Sequence, residues 1–217
     1  MSNTEYQRGE CTPTLITGET VSAAWEKSIT VLLGCGSWTE TERGLQAIEG
    51  INFTIHIPEV KQPIEISKKY CYRDGFIDSY KRSLEQGFAG VSVGSRLYDY
   101  GDGHINQLEK IIRKFRESTN SRRCVISLWN PAIDYEVDHP PCNVLHQFLL
   151  RNGTLGLTSF FRSNDAWMAA LPDMVSNCSL LKLVSDELGV SKMAYTHIAH
   201  SYHIYESDFS FALETTK

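Results

Sequence analysis

The sequence lacks the patterns that mark several common classes of protein. It has no apolar run near the ~18–20 residues of a membrane-spanning helix, so we expect no membrane partner. Its 217 residues carry a net charge of −5, and we expect no nucleic-acid partner because that function needs a basic surface. Its six cysteines include no CxxC pair, which argues against zinc and dithiol sites, so no metal is predicted.

The beginning of the chain also lacks a basic segment followed by an apolar one, which is the pattern of a secretory signal. We therefore expect a cytoplasmic protein with reduced thiols, in which a cysteine is most often a small buried hydrophobe. The length predicts a single domain with a sizeable core over 20–217. Residues 1–19 are expected to form a loosely ordered lead-in.

Hydrophobic spacing predicts a mixture of helices and strands. Helical spacing predicts helices over 20–33, 75–86, 106–117 and 174–188. Alternating or β-branched runs predict strands over 46–57, 123–129, 143–150, 155–161 and 193–205. Asn152-Gly153 predicts a hairpin turn, because both residues accept positive φ. The expected fold class is α+β, with a mostly antiparallel or mixed sheet and flanking helices.

Cys142 is the strongest candidate for a nucleophile. It follows Pro140-Pro141, which fix the backbone on entry to a strand. The predicted turn lies about midway between Cys142 and Arg162, so hairpin pairing brings the two residues to the same end. A guanidinium close to a thiol lowers the thiol pKa and favours the reactive thiolate.

Two adjacent arginines, Arg122 and Arg123, allow two interpretations. An arginine pair is usually a solvated strand edge. Beside Arg162 and Ser163 it also fits a phosphate clamp, because guanidinium groups bind phosphate through paired hydrogen bonds and serine adds a donor.

Together these motifs resemble the thymidylate synthase family over about Thr20 to Tyr205. The matching segments are Ser121-Arg122-Arg123, Trp129-Asn130, Pro141-Cys142, Gln147-Phe148, Arg162-Ser163-Asn164-Asp165 and His203-Ile204-Tyr205. The resemblance implies a thymidylate synthase-like fold and a folate-dependent one-carbon transferase. Its substrate would be a pyrimidine nucleoside monophosphate, and its cosubstrate 5,10-methylenetetrahydrofolate. It also implies a homodimer that shares arginines across the interface.

The resemblance gives the basic residues roles at the nucleotide phosphate. Arg162 and Ser163 would bind the 5′-phosphate, and Arg43 would join them from a mobile loop. Arg122 and Arg123 would reach the phosphate in the partner subunit's site.

The other matched residues would contact the rest of the substrates. Cys142 would attack carbon 6 of the pyrimidine, and Asn164 would belong to the substrate-binding set. Asp165 would hold the folate. His203 and Tyr205 would bind a sugar hydroxyl.

Asp173 departs from the family pattern, because thymidylate synthases carry an asparagine there to read uracil. An aspartate accepts a hydrogen bond from the exocyclic amine of cytosine, and it serves the ring nitrogen when it is protonated. Phage deoxycytidylate hydroxymethylases carry this aspartate and share the Arg-Ser-Asn-Asp motif. The alternative is that Asp173 only caps a helix that begins at Met174.

Three further differences concern the reaction's last step. Asn143 stands where the family usually has histidine, and Val93-Gly94 where it has tyrosine-glycine. The final residues lack the apolar tail that seals a synthase site. Each difference loosens the machinery for hydride transfer and favours water as the trapping nucleophile.

The general acid or base is expected to be a carboxylate on an early helix. Alignment to the family favours Asp78 in a catalytic role, with Glu65 and Glu85 as alternatives. A helix-surface carboxylate with no catalytic role is an equally good interpretation of Asp78.

The sequence thus predicts folate-dependent 5-hydroxymethylation of CMP or dCMP through a covalent cysteine adduct, with Asp173 selecting the base. The runner-up is a compact thymidylate synthase that methylates dUMP to dTMP. A third hypothesis is a nucleotide-binding relative without catalytic activity.

Overall fold

The structure is a computed structural model; it describes residues 13–70, 75, 77, 78, 82 and 93–217. Within these residues seven strands form one mixed sheet in the order β1-β3-β7-β6-β5-β4, with β2 paired to β3. The strands are β1 Thr14–Thr17, β2 Ser37–Glu40, β3 Gln46–Ile57, β4 Val125–Ser127, β5 Asn143–Arg151, β6 Thr154–Asp165 and β7 Lys192–Tyr205.

Helices flank this sheet, so the predicted α+β fold class is confirmed. They are α1 Val21–Cys35, α2 Val93–Tyr98, α3 Gln107–Glu117, α4 Ala170–Leu188 and α5 Phe209–Thr215. A short 3₁₀ turn, Glu206–Asp208, joins β7 to α5. The predicted helix over 75–86 lies mostly outside the described residues.

Aromatic side chains fill the core between α1 and the sheet. Trp25 of α1 is fully buried, and its ring lies 5.5 Å from that of Trp167. Phe53 of β3 stacks on Tyr202 of β7 at 5.1 Å. The spacing of apolar residues in α1 and β3 therefore predicted their buried faces correctly.

The β5–β6 hairpin forms as its sequence indicates. Asn152 and Gly153 both have positive φ, 50° and 73°, which matches the twist of paired antiparallel strands. At the far end of the hairpin the Arg162 N–H donates to the Cys142 carbonyl at 2.9 Å. Pairing therefore brings Cys142 and Arg162 together, as predicted.

Several boundaries differ from the sequence prediction; β6, for example, ends at Asp165 instead of Phe161. Thr14–Thr17 is a strand parallel to β3, so the ordered sheet begins inside the expected lead-in. Helix α4 begins at Ala170 instead of Met174, because proline is tolerated in a first turn, where its missing N–H has no partner to lose. Pro172 is therefore inside the helix and does not delay its start.

A buried ion pair orders the loop that leads toward Cys142. Arg96 of α2 bonds both carboxylate oxygens of Asp134, at 2.5 and 2.6 Å, and also donates to the Leu128 carbonyl. The Asn130 N–H donates to Asp134 at 2.6 Å. Burial would raise the pKa of Asp134, but the bonds from Arg96 and Asn130 outweigh it and lower that pKa below its usual value.

We expect Asp134→Asn to lower the free energy of unfolding by about 3–5 kcal/mol, because Arg96 is left buried and uncompensated. The depressed pKa of Asp134 stabilises the fold above the unfolded pKa of about 3.9, and this contribution is lost as pH falls through the folded value. Urea unfolding of wild type and variant from pH 7 to pH 3 measures this pH-dependent part of the free energy of unfolding. The difference between wild type and variant should narrow in acid, whereas exposed Asp102→Asn should match wild type throughout. A pH-independent difference would contradict the account.

Candidate active site

A cleft of about 750 Å³ opens where β2, β6 and β7 end and β3 begins, beside the first turn of α4. Its lining combines polar, charged and apolar side chains. It includes Thr39, Glu40, Thr41, Glu42, Arg43, Ala47, Glu49, Val93, His139, Pro140, Cys142, Asn143, Phe161, Arg162, Ser163, Asn164, Asp165, Met168, Ala169, Asp173, Ser201, His203 and Tyr205.

Cys142 lies in this cleft with its thiol open to it. The Arg162 guanidinium is fixed beside it, because Nε donates to the Pro141 carbonyl at 3.1 Å and Nη2 to the Pro140 carbonyl at 3.0 Å. Surrounding protein raises the pKa of the Cys142 thiol, and Arg162 opposes that rise. Arg162 therefore acts on the thiol pKa in the predicted direction, but the surrounding protein has the larger effect.

Three of the predicted phosphate ligands lie in the same cleft. Arg43, Arg162 and Ser163 all line it. Arg43 Nη2 lies 3.2 Å from the Asp138 carbonyl and 3.0 Å from His139 Nδ1, which orients its exposed side chain. These three donors can bind a phosphate dianion.

Arg122 and Arg123 do not line the cleft. Both are exposed beside β4, and the Arg122 carbonyl accepts a hydrogen bond from Gln147 at 3.2 Å. Their expected role across a subunit interface stays a prediction.

Asp173 lies in the first turn of α4 and the N-cap position is Ala169, so the interpretation of Asp173 as an N-cap is wrong. Its N–H donates to the Ala169 carbonyl at 2.9 Å, which is a helical hydrogen bond. The residue is only 7% exposed and faces the cleft. Asn164 Nδ2 donates to its Oδ2 at 2.7 Å, and the helix N-terminus favours a negative charge there.

Asp165 presents a second carboxylate, which is half-buried. Its Oδ1 accepts the Trp167 and Met168 N–H groups at 3.0 and 2.9 Å. Its Oδ2 is buried without a hydrogen-bond partner among the described residues. Burial raises the pKa of Asp165 to about 6, although the Met168 N–H opposes the rise.

His203 and Tyr205 line the cleft from the end of β7, with their rings 5.0 Å apart. Burial lowers the pKa of His203, and the nearby Glu49 carboxylate opposes that effect. Glu49 is paired in register with His203 and accepts a hydrogen bond from Ser201. Sequence reasoning missed Glu49, although its place in a strand of alternating buried residues marked an inward polar position.

The expected general acid or base is not part of the described cleft. Asp78 and Glu65 are exposed and do not line it, and Glu85 lies outside the described residues. The carboxylates that do line it are Glu40, Glu42, Glu49, Asp165 and Asp173. The role of Asp78 therefore stays a prediction without support from its position.

Comparison with known proteins decides the family. Residues 60–216 match the family model described as thymidylate synthase. A relative from Methanocaldococcus jannaschii, named "Putative thymidylate synthase", is 36% identical over 88% of this chain and 90% of its own. Relatives of the same name from Methanococcoides burtonii and Methanosarcina barkeri are 31% and 28% identical, each over 90% of this chain and 91% of their own.

The chain belongs to the thymidylate synthase family. Members of this family are folate-dependent one-carbon transferases that bind a pyrimidine nucleotide and use methylenetetrahydrofolate as cosubstrate. The described residues contain no cluster of three or more metal-ligating side chains. Among the same residues, no helix is both long and apolar enough to cross a membrane.

The Arg162 guanidinium should control the reactivity of this thymidylate synthase-family cysteine. We expect Arg162→Gln to raise the pKa of Cys142 further and to slow its alkylation at neutral pH by about threefold or more. Iodoacetamide labelling of the Cys142 peptide, followed by mass spectrometry from pH 6 to pH 10, measures this. Arg43→Gln should have a smaller effect in the same direction. Equal rates in wild type and Arg162→Gln would refute the electrostatic role.

Proposed function

We propose that this enzyme adds a hydroxymethyl group to carbon 5 of a cytidine 5′-monophosphate, either CMP or dCMP. The observation that carries the proposal is the carboxylate of Asp173. It is buried in the cleft, lies inside α4 rather than at its cap, and is held by Asn164. A carboxylate fits the amine of cytosine better than the carbonyl of uracil.

Hydrogen-bond chemistry explains the preference. Asp173 already accepts the Asn164 N–H, which stabilises its ionised form. An ionised carboxylate only accepts hydrogen bonds, and the exocyclic amine of cytosine donates them. The carbonyl oxygen of uracil would instead meet a second acceptor and leave a buried group unsatisfied.

Cys142 would start the reaction. Its thiolate forms a bond to carbon 6, and the electron pair of the ring double bond makes carbon 5 nucleophilic. The Arg162 and Arg43 guanidinium groups favour that thiolate. When the product forms, Cys142 leaves with its electron pair and the ring double bond returns.

The residues at the Asp165 end fit the folate cosubstrate. The unpartnered Oδ2 of Asp165 is an acceptor for a ring N–H of a reduced pterin. Bound methylenetetrahydrofolate supplies a one-carbon unit at the oxidation level of formaldehyde. Asp165 would orient it toward carbon 5 in the same cleft as Cys142.

Water would complete the reaction without any change in oxidation state. A carboxylate base would take the proton from carbon 5, and a water oxygen would bond to the transferred carbon as its bond to the tetrahydrofolate nitrogen breaks. The proton that this water loses passes to that nitrogen, and the electron pair left at carbon 5 restores the ring double bond as Cys142 leaves. Asn143 and Val93 line the cleft where the family usually places histidine and tyrosine, and smaller side chains leave room for this water.

The remaining cleft residues would bind the sugar and phosphate. Arg43, Arg162 and Ser163 suit the 5′-phosphate, and His203 with Tyr205 suits a sugar hydroxyl. These contacts serve ribose and deoxyribose equally. We also propose a homodimer in which Arg122 and Arg123 bind the phosphate of the partner subunit's nucleotide, since both are exposed.

A thymidylate synthase that converts dUMP to dTMP is the second candidate. The names of the relatives, "Putative thymidylate synthase", favour this reaction. It differs in redox chemistry, because its methyl product requires oxidation of the folate to dihydrofolate. Release of dihydrofolate therefore distinguishes the two reactions.

The wild-type protein should convert CMP or dCMP, with methylenetetrahydrofolate, into a product heavier by one CH₂O unit. Mass spectrometry of reactions with CMP, dCMP and dUMP measures it, with absorbance recording any dihydrofolate. Cys142→Ala should abolish the product and retain nucleotide binding, whereas Cys35→Ala, at an exposed cysteine, should retain both. Formation of dTMP with no cytidylate product would sink the proposal. Binding without turnover by wild type would favour a non-catalytic relative.

Asp173→Asn should shift the preference from cytidylates toward uridylates by about tenfold or more, because an amide offers a donor to the uracil carbonyl. The ratio of kcat/KM for cytidylate and uridylate turnover measures the shift. Asp186→Asn is the matched control, since Asp186 is exposed on the same helix. Among the described residues its carboxylate bonds only the Lys182 ammonium group, at 2.5 Å. An unchanged ratio in Asp173→Asn would falsify the role of Asp173.

A further inference from the structure

A chain of buried polar side chains runs behind the cleft and joins Asn143 to Asp173. Every member is 8% exposed or less, and the two ends line the cleft. The members are Asn143, His146, Ser159, Tyr195, His197, Asn164 and Asp173, with Asn177 as a side branch.

The first half of this polar chain crosses from β5 to β7. Asn143 Nδ2 lies 3.3 Å from His146 Nε2, and His146 Nδ1 lies 2.9 Å from Ser159 Oγ. Burial raises the pKa of the Tyr195 phenol, and a side-chain hydrogen bond with Ser159 opposes the rise. Ser159 therefore links His146 to Tyr195.

The second half returns from β7 to α4. Tyr195 Oη accepts the Asn177 amide at 3.0 Å and lies 3.1 Å from His197 Nδ1. His197 Nε2 lies 3.0 Å from Asn164 Oδ1, and Asn164 Nδ2 donates to Asp173 at 2.7 Å.

Satisfying every partner fixes the direction of these bonds near Asp173. Because Asn164 donates its amide N–H to Asp173, its oxygen must accept from His197 Nε2. Burial lowers the pKa of His197 to about 3, so the ring is neutral and carries only that one proton. His197 Nδ1 must then accept the Tyr195 hydroxyl proton.

The bonds of Tyr195 fix the direction at the Asn143 end. Because Tyr195 gives its proton to His197, Ser159 must donate to Tyr195 and accept from His146 Nδ1. The bare His146 Nε2 then accepts the Asn143 amide N–H. Burial lowers the pKa of His146 to about 3 as well. Asn143 therefore keeps its Oδ1 as an acceptor, and this oxygen is buried with no hydrogen-bond partner among the described residues. All donors thus point from Asn143 toward Asp173.

We propose that this polar chain fixes both of its ends as hydrogen-bond acceptors toward the base, and so selects a pyrimidine that carries an exocyclic amine. The inference rests on the proposed function and deepens it: Asn143 becomes a second specificity-determining residue, and Tyr195 and His197 become positioning residues. An amine has two N–H donors for two acceptors, whereas a carbonyl oxygen has none. Aligned bonds also polarise one another, which strengthens the acceptor character of Asp173.

Tyr195→Phe tests the orientation, because it removes only the hydroxyl that fixes the His197 tautomer. The proton of His197 can then move from Nε2 to Nδ1, so that Nε2 becomes an acceptor. The Asn164 amide can then rotate to donate to Nε2, which removes its hydrogen bond to Asp173. We expect the preference for cytidylate over uridylate to fall by about tenfold. Isothermal titration with CMP, UMP, dCMP and dUMP in the absence of folate gives the ratio of Kd values.

Tyr202→Phe is the matched control. Tyr202 is fully buried in the same strand and bonds Ser28 at 2.8 Å, outside the polar chain. We expect it to lose similar stability and to keep the Kd ratio within about twofold. An equal change of the ratio in both variants would show a merely structural role and overturn the inference.

Ser159→Ala is the second variant, and it tests the role of the polar chain if Tyr195→Phe does not fold. It cuts the polar chain between His146 and Tyr195, so the cytidylate preference should fall in the same direction. An unchanged ratio in a folded variant overturns the inference. The ratio of Kd values in the wild type tests the proposed function, and a wild type that prefers uridylates contradicts that function. The change of this ratio between variant and wild type tests the polar chain.

Discussion

The parallel pairing of β6 with β7 is the constraint on which the candidate site depends. The register runs from Thr154 opposite Lys192 to Asp165 opposite His203, so the motif at the end of β6 lies beside the end of β7. Parallel neighbours need a crossover connection, and α4 supplies it. The crossover helix must start at the edge where β6 ends, which places Asp173 within reach of Asn164.

Charge is distributed unevenly over this edge. The guanidinium groups of Arg43 and Arg162 and the carboxylates of Asp165 and Asp173 all line the cleft and act electrostatically on Cys142, the first two lowering its pKa and the last two raising it. Burial raises the pKa of both Cys142 and Asp165. The cleft thus combines cationic donors with carboxylate acceptors, which fits a ligand that carries both an anionic group and N–H donors.

Much of this arrangement could be predicted from local sequence. The alternation over 46–57 gave the bounds of β3, and Asn152-Gly153 predicted the hairpin that joins Cys142 to Arg162. The start of α4 could not be predicted in the same way, because Pro172 resembles a boundary signal and is also tolerated in a first turn. Strand β1 was missed because four residues carry little periodic signal and their partner in β3 is distant in sequence.

The buried polar chain could likewise be predicted only in part from the sequence. His146 and His197 occupy buried positions of alternating strands, so sequence could mark each as an inward polar residue. Their partners come from three strands and a helix, and only the assembled sheet shows that their bonds share one direction. Family resemblance predicted the matched motifs, but it gave no role to Tyr195 or His197.

The most direct test of the central claim follows the hydrogen at carbon 5. Nucleotides tritiated at carbon 5 release tritium to water once the enzyme has bonded that carbon to the one-carbon unit. The account predicts release from CMP or dCMP in the presence of methylenetetrahydrofolate, and little from dUMP. Release from dUMP alone would contradict it, because Asp173 would then not select the base.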